Sequence, residues 1–475
     1  MAEGGVNLAV SKTESAPEDS LYSRHSKNYV ESVSVEICTI MTRLGYGEEI
    51  RRWRVEKYRE LDRLQDLPIT AGSKAEGLTC RFESDYDILY PLRNVLSVET
   101  GINLHTIPGH IDVFRMDTRV YPGHCRLLQE RPAHERLVII ENSLSDNGYG
   151  DVLLSSSLFV DFLAGLFDLG TSALELLSPR LVRHERAGPS IPSTVDGIPM
   201  DMVFSIRCHC PSILNRWATR PRHWPSPVVV KKVVSLGAYV TPVGCKGSEN
   251  KNSEWRMCFN TGETELVNNL SDTQVKVYVL LKMILKHVLM PCKKEITSYV
   301  MKNIVLWQAE SNPQNRFNAR SLFHWLHDGL RELRSAIANK NLSYFMIPER
   351  NLMEGSGLDD KQQSKWVADI TDMMVEGPKV LLRLPKIRQA VVASPEPMLW
   401  FMTIRMEVEM LWVMYMIRCE KCKDENGVVD YSNARLQQIL FRLSEILTEV
   451  IFPMFVEGCP LDKLNLWDML RAILG

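Results

Sequence analysis

The chain has 475 residues and a formal net charge of −2, with 45% hydrophobic and 24% charged residues. These values are typical of a globular protein. The net charge is too small to attract nucleic acid over the whole surface, so any contact with nucleic acid must come from a local patch of positive charge. The 11 cysteines are an odd number, which, without a secretory signal, favours reduced thiols in a cytoplasmic protein. Residues 1–22 are polar and are predicted to be a disordered tail. Residues 398–417 are apolar but carry three central charges, so we expect no membrane contact.

Residues 23–65 are predicted to form a long N-terminal helical segment of one or two helices. Charged side chains such as Arg52 and Glu56 lie four residues apart, the spacing that brings side chains together on one helix face. A solvated helix face accounts for this pattern. The alternative is one wall of a groove that binds a polyanion.

Two aspartates follow a Gly-Ser pair. Asp85 and Asp87 lie one residue apart at the start of a β-like run, downstream of Gly72 and Ser73. In a strand both carboxylates would project from the same face, where they repel each other unless a cation lies between them. Mg²⁺ (or Mn²⁺) suits such oxygen ligands together with substrate phosphates, and a Gly-Ser turn suits a triphosphate. The pattern indicates metal-assisted nucleotidyl transfer.

The pattern of the remaining chain predicts an α/β half followed by a helical half, hence an α+β fold. Short strand-like runs occur at 87–90, 111–114, 137–140 and 200–206, the last with Asp201. Helical spacing covers 156–182 and 271–290, and the Pro/Gly/Ser-rich stretch 188–199 is predicted to be a loop. The predicted boundaries are 1–22 for the tail, 23–270 for a catalytic lobe with a mixed sheet, 271–385 for an all-helical lobe and 386–475 for a C-terminal helical extension.

These residues resemble a known family. Gly72-Ser73, the run from Asp85 to Tyr90 and Asp201 resemble the metal-binding signature of cyclic GMP-AMP synthase-like receptors, within the male-abnormal-twenty-one domain family of nucleotidyltransferases. Further similar segments follow in the family's order, over about residues 23 to 385: Glu254–Phe259 with Glu263, Lys282, Ser298-Tyr299 with Lys302, and Asn341–Glu349. The resemblance implies a bilobed nucleotidyltransferase fold.

The resemblance also implies an activity. It implies a nucleic-acid-activated enzyme of innate immune signalling that makes a cyclic dinucleotide from ATP/GTP-type substrates, with a receptor of the STING type downstream. By the two-metal mechanism, Asp85, Asp87 and Asp201 would be catalytic and would bind two Mg²⁺ ions. The nucleotide-binding residues it implies are Gly72, Ser73, Arg256, Glu263, Lys282, Ser298 and Tyr299, with Tyr299 stacked on a base.

Three features depart from the family pattern. Asn268-Asn269 continues directly into Leu270 without the His/Cys zinc insertion of the DNA-sensing member, so no zinc is expected. The interval from Asp87 to Asp201 is longer than usual in the family, which leaves Asp112 as the alternative third acid. Residues 386–475 extend past the family core.

A basic stretch supplies a candidate nucleic-acid surface. Residues 205–248 contain no acid, and such an asymmetry favours sequence-independent phosphate contact. The missing zinc insertion favours double-stranded RNA over DNA as the activator, read by shape and backbone. The alternative is a solvated loop with Trp217 and Trp224 packed inward. The candidate contact residues are Arg216, Arg220, Arg222, Lys231 and Lys232.

Two other functions stay open at this stage. A catalytically inactive family member would act as a nucleic-acid- or protein-binding scaffold. An enzyme of the same chemistry could make linear products or need no activator. The apparently complete set of acids argues against the scaffold, and the basic stretch argues against an enzyme without an activator.

Overall fold

The structure, a computed structural model, describes residues 19–456 except 66–67, 81–82, 147, 149, 178–180, 185–187, 196–197, 290–295 and 397. Residues 1–18 of the predicted tail lie outside this range. The last four residues of that tail form a short helix, α1 (Asp19–Tyr22), so the prediction was wrong there. Leu21 explains the difference, because its side chain is only 2% exposed and anchors the helix in the core.

The predicted N-terminal helical segment is two helices, α2 (Lys27–Met41) and α3 (Glu48–Gln65). A π-helical turn separates them, and within it Gly45 has a φ of 85°, a backbone conformation that favours glycine. Ser26 caps α2 by accepting a hydrogen bond from the backbone N–H of Tyr29 at 3.3 Å.

The catalytic lobe combines strands with short and long helices. Its strands are β1 (Ile69–Thr70), β2 (Tyr86–Val98), β3 (Asp112–Asp117), β4 (His124–Arg131), β5 (Leu144–Asp146), β6 (Val152–Leu154), β7 (Leu181–Arg183), β8 (Ser190–Val195), β9 (Ile198–His209), β10 (Ala238–Thr241) and β11 (Glu254–Cys258). Its further helices are α4 (Gly72–Ala75), α5 (Val138–Glu141), α6 (Ser156–Leu177), α7 (Pro211–Ala218), α8 (Pro227–Leu236) and α9 (Asn260–Asn268).

The described strands form one mixed sheet. Its order is β1-β2-β3-β4-β11-β10-β9-β8-β7, and β2 also pairs with β9. The sheet therefore closes on itself through six strands, from β2 by way of β3, β4, β11 and β10 to β9. The β2–β9 pairing is parallel, with Asp87 opposite Asp201. This pairing brings two distant parts of the chain side by side.

Two of the sequence interpretations were wrong in this lobe. The run 137–140 contains the helix α5 instead of a strand, because a short apolar run alone does not distinguish the two structures. The expected loop at 188–199 contains β8. Its backbone pairs in antiparallel register with β9, for instance Ser190 with Val203, and this long-range pairing outweighs the turn-forming residues.

The core of the sheet packs around Trp255, whose side chain is fully buried. Its indole N–H donates to the carbonyl of Leu154 at 2.8 Å, and its ring meets Phe159 edge-on with centroids 5.1 Å apart. Because Leu154 and Phe159 belong to β6 and α6, this tryptophan joins the sheet to the helix behind it.

The helical lobe follows as α10 (Asp272–Ile284), α11 (Ser298–Ser311), α12 (Leu322–Asn339) and α13 (Asp360–Glu376). A capping box between Ser271 and Gln274 begins α10. Almost every residue of α10 is buried, so it is a central helix of this lobe. The mixed sheet followed by a helical lobe confirms the predicted α+β class.

The C-terminal extension packs back on the catalytic lobe. A 3₁₀ helix (Gly377–Arg383) leads into α14 (Pro385–Ala393), α15 (Met398–Lys421) and α16 (Ala434–Val456). Arg405 and Glu409 of α15 are buried and each pairs with an opposite charge in the catalytic lobe. Within the described parts of the chain, no helix is long and apolar enough to cross a membrane.

Candidate active site

A cavity of about 400 Å³ lies between the two lobes. Strands β2 and β9 form one wall, the turn at Gly72 a second, and helices α9, α10 and α11 the others. Eight of the predicted site residues line it: Gly72, Ser73, Asp87, Asp201, Arg256, Glu263, Ser298 and Tyr299.

Asp87 and Asp201 are neighbours in this cavity, since they face each other in the parallel register of β2 and β9. Asp201 accepts a hydrogen bond from the Ser190 hydroxyl at 2.9 Å. Burial, followed by the negative charges of Asp201 and Asp85, raises the pKa of Asp87 to about 6. A bound divalent cation would relieve this repulsion, and carboxylate oxygens are the ligands that Mg²⁺ prefers. The two carboxylates therefore fit a metal ion of this kind.

Asp85 stands apart from this pair. It precedes β2, is exposed, and is not among the residues that line the cavity. In the described residues no group of three His, Cys, Asp or Glu side chains has an arrangement that would hold a metal ion. The structure thus brings together two of the three predicted acids, with the third close enough to influence the pKa of Asp87.

Asp112, the alternative third acid, lies elsewhere. It pairs with Val95 of β2, eight residues along the strand from Asp87, which corresponds to roughly 25 Å at the usual rise. Its carboxylate accepts from the backbone N–H of Ala133 at 3.0 Å and pairs with Arg136 at 3.2 Å. The structure therefore removes Asp112 from the candidate ligands.

The Gly-Ser turn packs directly against Asp87. Gly72 has a φ of +61°, and a Cβ added there would collide with the Asp87 carboxylate. The Ser73 hydroxyl accepts a hydrogen bond from the ammonium group of Lys282 at 2.6 Å. Burial lowers the pKa of Lys282. Lys282, although outside the lining, thus supplies a positive charge directly behind the turn.

A network of buried charges and hydroxyls forms the opposite wall. Glu263 accepts hydrogen bonds from the hydroxyls of Tyr299 and Tyr344, each at 2.5 Å. Lys302 pairs with Glu263 at 3.4 Å and with Glu76 at 2.5 Å. Tyr299 is thus held by its hydroxyl, so one edge of its ring is fixed while the ring borders the cavity.

Sequence reasoning missed several residues of this wall as site residues. Glu76, Tyr278, Lys302 and Arg350 line the cavity, and the guanidinium of Arg350 lies 5.1 Å from the centre of the Tyr344 ring. The spacing of Lys302, three residues after Tyr299 on one helix, could have indicated a shared face. Arg350 comes from a distant turn, and no local pattern signals its approach.

The predicted basic surface divides into inward and outward side chains. The Arg220 guanidinium donates to Glu310 at 2.9 Å and to the carbonyl of Phe345 at 3.0 Å. Arg222 pairs with Glu310 at 3.6 Å and lies 4.5 Å from the centre of the Trp217 ring. Both arginine side chains are mostly buried and are neutralised by contacts inside the protein. The expectation that they belong to an exposed nucleic-acid-binding surface was therefore wrong.

The other basic residues are exposed. Arg216 forms a surface pair with Glu349 at 3.3 Å, and Lys231 and Lys232 project from α8. Lys232 also lines a second cavity of about 250 Å³ together with Arg59 and Arg63 of α3. Asp62 and Glu265 line the same cavity, so the charges there are mixed.

Comparisons with known proteins match two segments of this chain to domains of one family. Residues 116–269 match the Mab-21 protein nucleotidyltransferase domain, and residues 273–372 match the Mab-21 protein HhH/H2TH-like domain. A cyclic GMP-AMP synthase-like receptor from Aethina tumida is 28% identical over 137 residues. The aligned region covers 28% of this chain and 33% of that receptor, so it spans about a third of the relative.

Proposed function

Because the chain belongs to the Mab-21 family, with both the nucleotidyltransferase and the HhH/H2TH-like domain, we propose that it joins nucleotides of the ATP/GTP type into a cyclic dinucleotide. The observation that carries this proposal is the pair of Asp87 and Asp201 on adjacent parallel strands, facing a cavity that Gly72 and Ser73 also line. A negatively charged pair beside a triphosphate-sized space suits phosphoryl chemistry.

Asp87 and Asp201 would hold Mg²⁺ or Mn²⁺, with Asp85 as the third ligand of a two-metal site. When bound, the cations would offset the charge of the phosphates and lower the pKa of the attacking hydroxyl. The ribose hydroxyl oxygen of one nucleotide bonds to the α-phosphorus of another, and the bond from that phosphorus to the β-phosphate bridging oxygen breaks. Asp201 accepts the hydroxyl proton, and pyrophosphate leaves. A second transfer closes the ring.

The remaining cavity residues orient the nucleotides. Gly72 lets the backbone approach the triphosphate closely, and Ser73 offers a hydroxyl that Lys282 already holds in place. Tyr299 and Ser298 face the second side of the cavity, where a base stacked on the tyrosine would contribute about 1–3 kcal/mol. Arg256 supplies hydrogen-bond donors for base or phosphate, and Glu263 holds Tyr299 in place through its hydroxyl.

Nucleic acid would bind outside the cavity. The exposed side chains of Lys231 and Lys232 on α8 supply positive charge, and Arg216 is exposed on α7. Arg59 and Arg63 of α3 line the second cavity together with Lys232. Basic residues from two helices favour contact with a phosphate backbone, and double-stranded RNA remains the preferred activator. The matched relative is a cyclic GMP-AMP synthase-like receptor. This likeness supports innate immune signalling in the cytoplasm, with a STING-type receptor for the product.

The test is product formation. Purified protein is incubated with the four labelled ribonucleoside triphosphates and Mg²⁺, with and without double-stranded RNA or DNA, and the products are resolved. We expect a cyclic dinucleotide that requires double-stranded RNA and disappears in Asp87→Asn. The control is Glu130→Gln on β4, whose carboxylate pairs with Arg115 at the surface at 2.8 Å.

Each contrary result has a distinct meaning. No product with any nucleic acid would contradict the proposal and favour a scaffold. Product that persists in Asp87→Asn would remove the carboxylate pair from the mechanism, whatever the product is. A linear product would refute the ring closure alone.

A further inference from the structure

The residues just before β2 are held by the C-terminal extension. Glu83 lies two residues before Asp85, and its side chain is only 10% exposed. Its carboxylate accepts a hydrogen bond from the backbone N–H of Cys80 at 2.8 Å. Other contacts come from distant parts of the chain. The side chains that meet here, called the Glu83 cluster, are Tyr46, Glu83, Lys386 and Arg405.

The Glu83 cluster is an ion-pair network across two helices of the extension. Lys386 of α14 and Arg405 of α15 both pair with one carboxylate oxygen of Glu83, and the Tyr46 hydroxyl donates to the same oxygen at 3.3 Å. Glu83 is therefore fixed between two cations.

A second buried pair links α15 to the Gly-Ser turn. Glu409 accepts two hydrogen bonds from the Arg54 guanidinium, at 2.8 and 2.7 Å. Arg54 also donates to the carbonyls of Gly45 at 2.7 Å and Gly77 at 3.3 Å. Because Gly77 lies two residues after the end of α4, α15 supports both chain segments that border Asp87.

Apolar contact and a buried lysine complete the support. Cys80 is 1% exposed and packs in one cluster with Val408 and Trp412 of α15. From the opposite side, Lys74 donates to the carbonyls of Cys80 at 3.1 Å and Ser84 at 3.0 Å. The residues before Asp85 are thus held between the Gly-Ser turn and the extension.

We infer that α14 and α15 are positioning elements for the metal site, acting through the Glu83 cluster on where Asp85 stands relative to Asp87 and Asp201. The inference rests on the proposed function, because it treats these aspartates as metal ligands. Two residues span at most about 7 Å, so the place where Glu83 is held limits where the Asp85 carboxylate can stand. The helices that do this lie beyond residue 372, where the family match ends.

The direct test measures metal binding in the full chain. Mn²⁺ binding is followed by electron paramagnetic resonance in the presence of a non-hydrolysable ATP analogue. For Glu83→Gln and Arg405→Met we expect the Kd for Mn²⁺ to rise about tenfold, the lower end of the range for groups that support metal ligands. Arg405→Lys keeps the charge and should restore most of the affinity. Hydrogen exchange of residues 83–90 should accelerate in the first two variants.

Two controls separate positioning from general stability. Glu407→Gln changes another carboxylate of α15, which pairs with Arg442 at 2.8 Å on the surface. Glu310→Gln changes a buried carboxylate beside Arg220, far along the chain from the aspartates. We expect wild-type Mn²⁺ affinity in both and a lower melting temperature in the second. If Arg405→Met does not fold, Lys386→Met at the more exposed side of the cluster replaces it.

The contrary outcomes are specific. Folded Glu83→Gln and Arg405→Met proteins with wild-type Mn²⁺ affinity would overturn the inference. So would an equal loss of affinity in Glu310→Gln, because general destabilisation would then explain the effect. If Asp87→Asn binds Mn²⁺ as well as the wild type, the proposed metal site itself fails. In that case, the rate of hydrogen exchange at residues 83–90 in the Glu83→Gln and Arg405→Met variants still shows whether the extension holds these residues in place.

Discussion

Replacing Gly72 by alanine tests whether the Gly-Ser turn and Asp87 form one unit. Gly72 adopts a φ of +61°, and its missing side chain leaves the space that the Asp87 carboxylate occupies. An added methyl group would therefore both strain the backbone and push the carboxylate away.

The two effects have different sizes. Left-handed backbone at a residue with a Cβ costs about 1–2 kcal/mol, which lowers the free energy of unfolding by that amount. Displacement of the carboxylate affects catalysis more strongly, since a misplacement of about 1 Å can lower the rate about 100-fold. We therefore expect a kcat at least about 100-fold lower, equivalent to about 2.7 kcal/mol, and weaker Mn²⁺ binding.

Gly101→Ala is the matched control. Gly101 also has a positive φ, +89°, but an added Cβ would have no neighbour within 4 Å. Urea unfolding should therefore give a similar loss of stability in both variants, whereas single-turnover kinetics should differ only for Gly72→Ala. If Gly72→Ala keeps the wild-type rate and Mn²⁺ affinity, the turn does not hold Asp87 and the reasoning is wrong.

Three further predictions concern charge. Glu409→Gln should lower the free energy of unfolding by about 3 kcal/mol, because it leaves the buried Arg54 guanidinium unpaired. If urea titration shows a smaller decrease in the free energy of unfolding for Glu409→Gln than for the surface change Glu407→Gln, the prediction is wrong. Burial, with the charges of Arg350 and Arg256, lowers the pKa of His124 to about 3. Below about pH 6.5 this histidine is therefore protonated in the unfolded chain but neutral in the folded protein. Lowering the pH from 7 to 5 should thus decrease the free energy of unfolding by about 2 kcal/mol. Thermal melts of His124→Gln should show a correspondingly smaller decrease, and an unchanged decrease would refute the assignment. Replacing Lys231 and Lys232 by glutamine should reduce the salt dependence of RNA binding by about one unit of slope per lysine. Arg220→Gln should instead lower the melting temperature. If the lysine variant has the lower melting temperature and Arg220→Gln has the weaker salt dependence of RNA binding, the assignment of Arg220 as inward-facing and of the lysines as outward-facing is wrong.

Local sequence patterns placed Asp87 and Asp201 correctly in strands, because alternation acts over a few residues. Asp85 precedes β2, and Gly72 begins the short helix α4 instead of a turn. The same kind of pattern failed at β8, where hydrogen bonds to β9 make a strand from a stretch rich in proline and serine. Pairing partners far apart in sequence leave no local signal.

The basic stretch illustrates the same limit. The sequence identified all the positive residues between 205 and 248, but not which of them are neutralised. Glu310 lies on α11, far along the chain, and its carboxylate turns Arg220 and Arg222 inward. Lys231 and Lys232 stay exposed on α8. Composition predicts how much charge a segment carries, whereas packing determines how much of it faces solvent.

The pattern of Gly72, Ser73, Asp85 and Asp87 predicted metal-assisted nucleotidyl transfer, and the resemblance to a known family predicted the two lobes and the role of Asp201. Their meeting depends on the parallel pairing of β2 with β9, and the choice of Asp201 over Asp112 depends on register. The support of Glu83 by Lys386 and Arg405 was likewise invisible in the linear chain. The reason is physical: side-chain periodicity reports the conformation of a segment, while contacts between segments depend on how the whole chain minimises exposed apolar surface and unpaired charge.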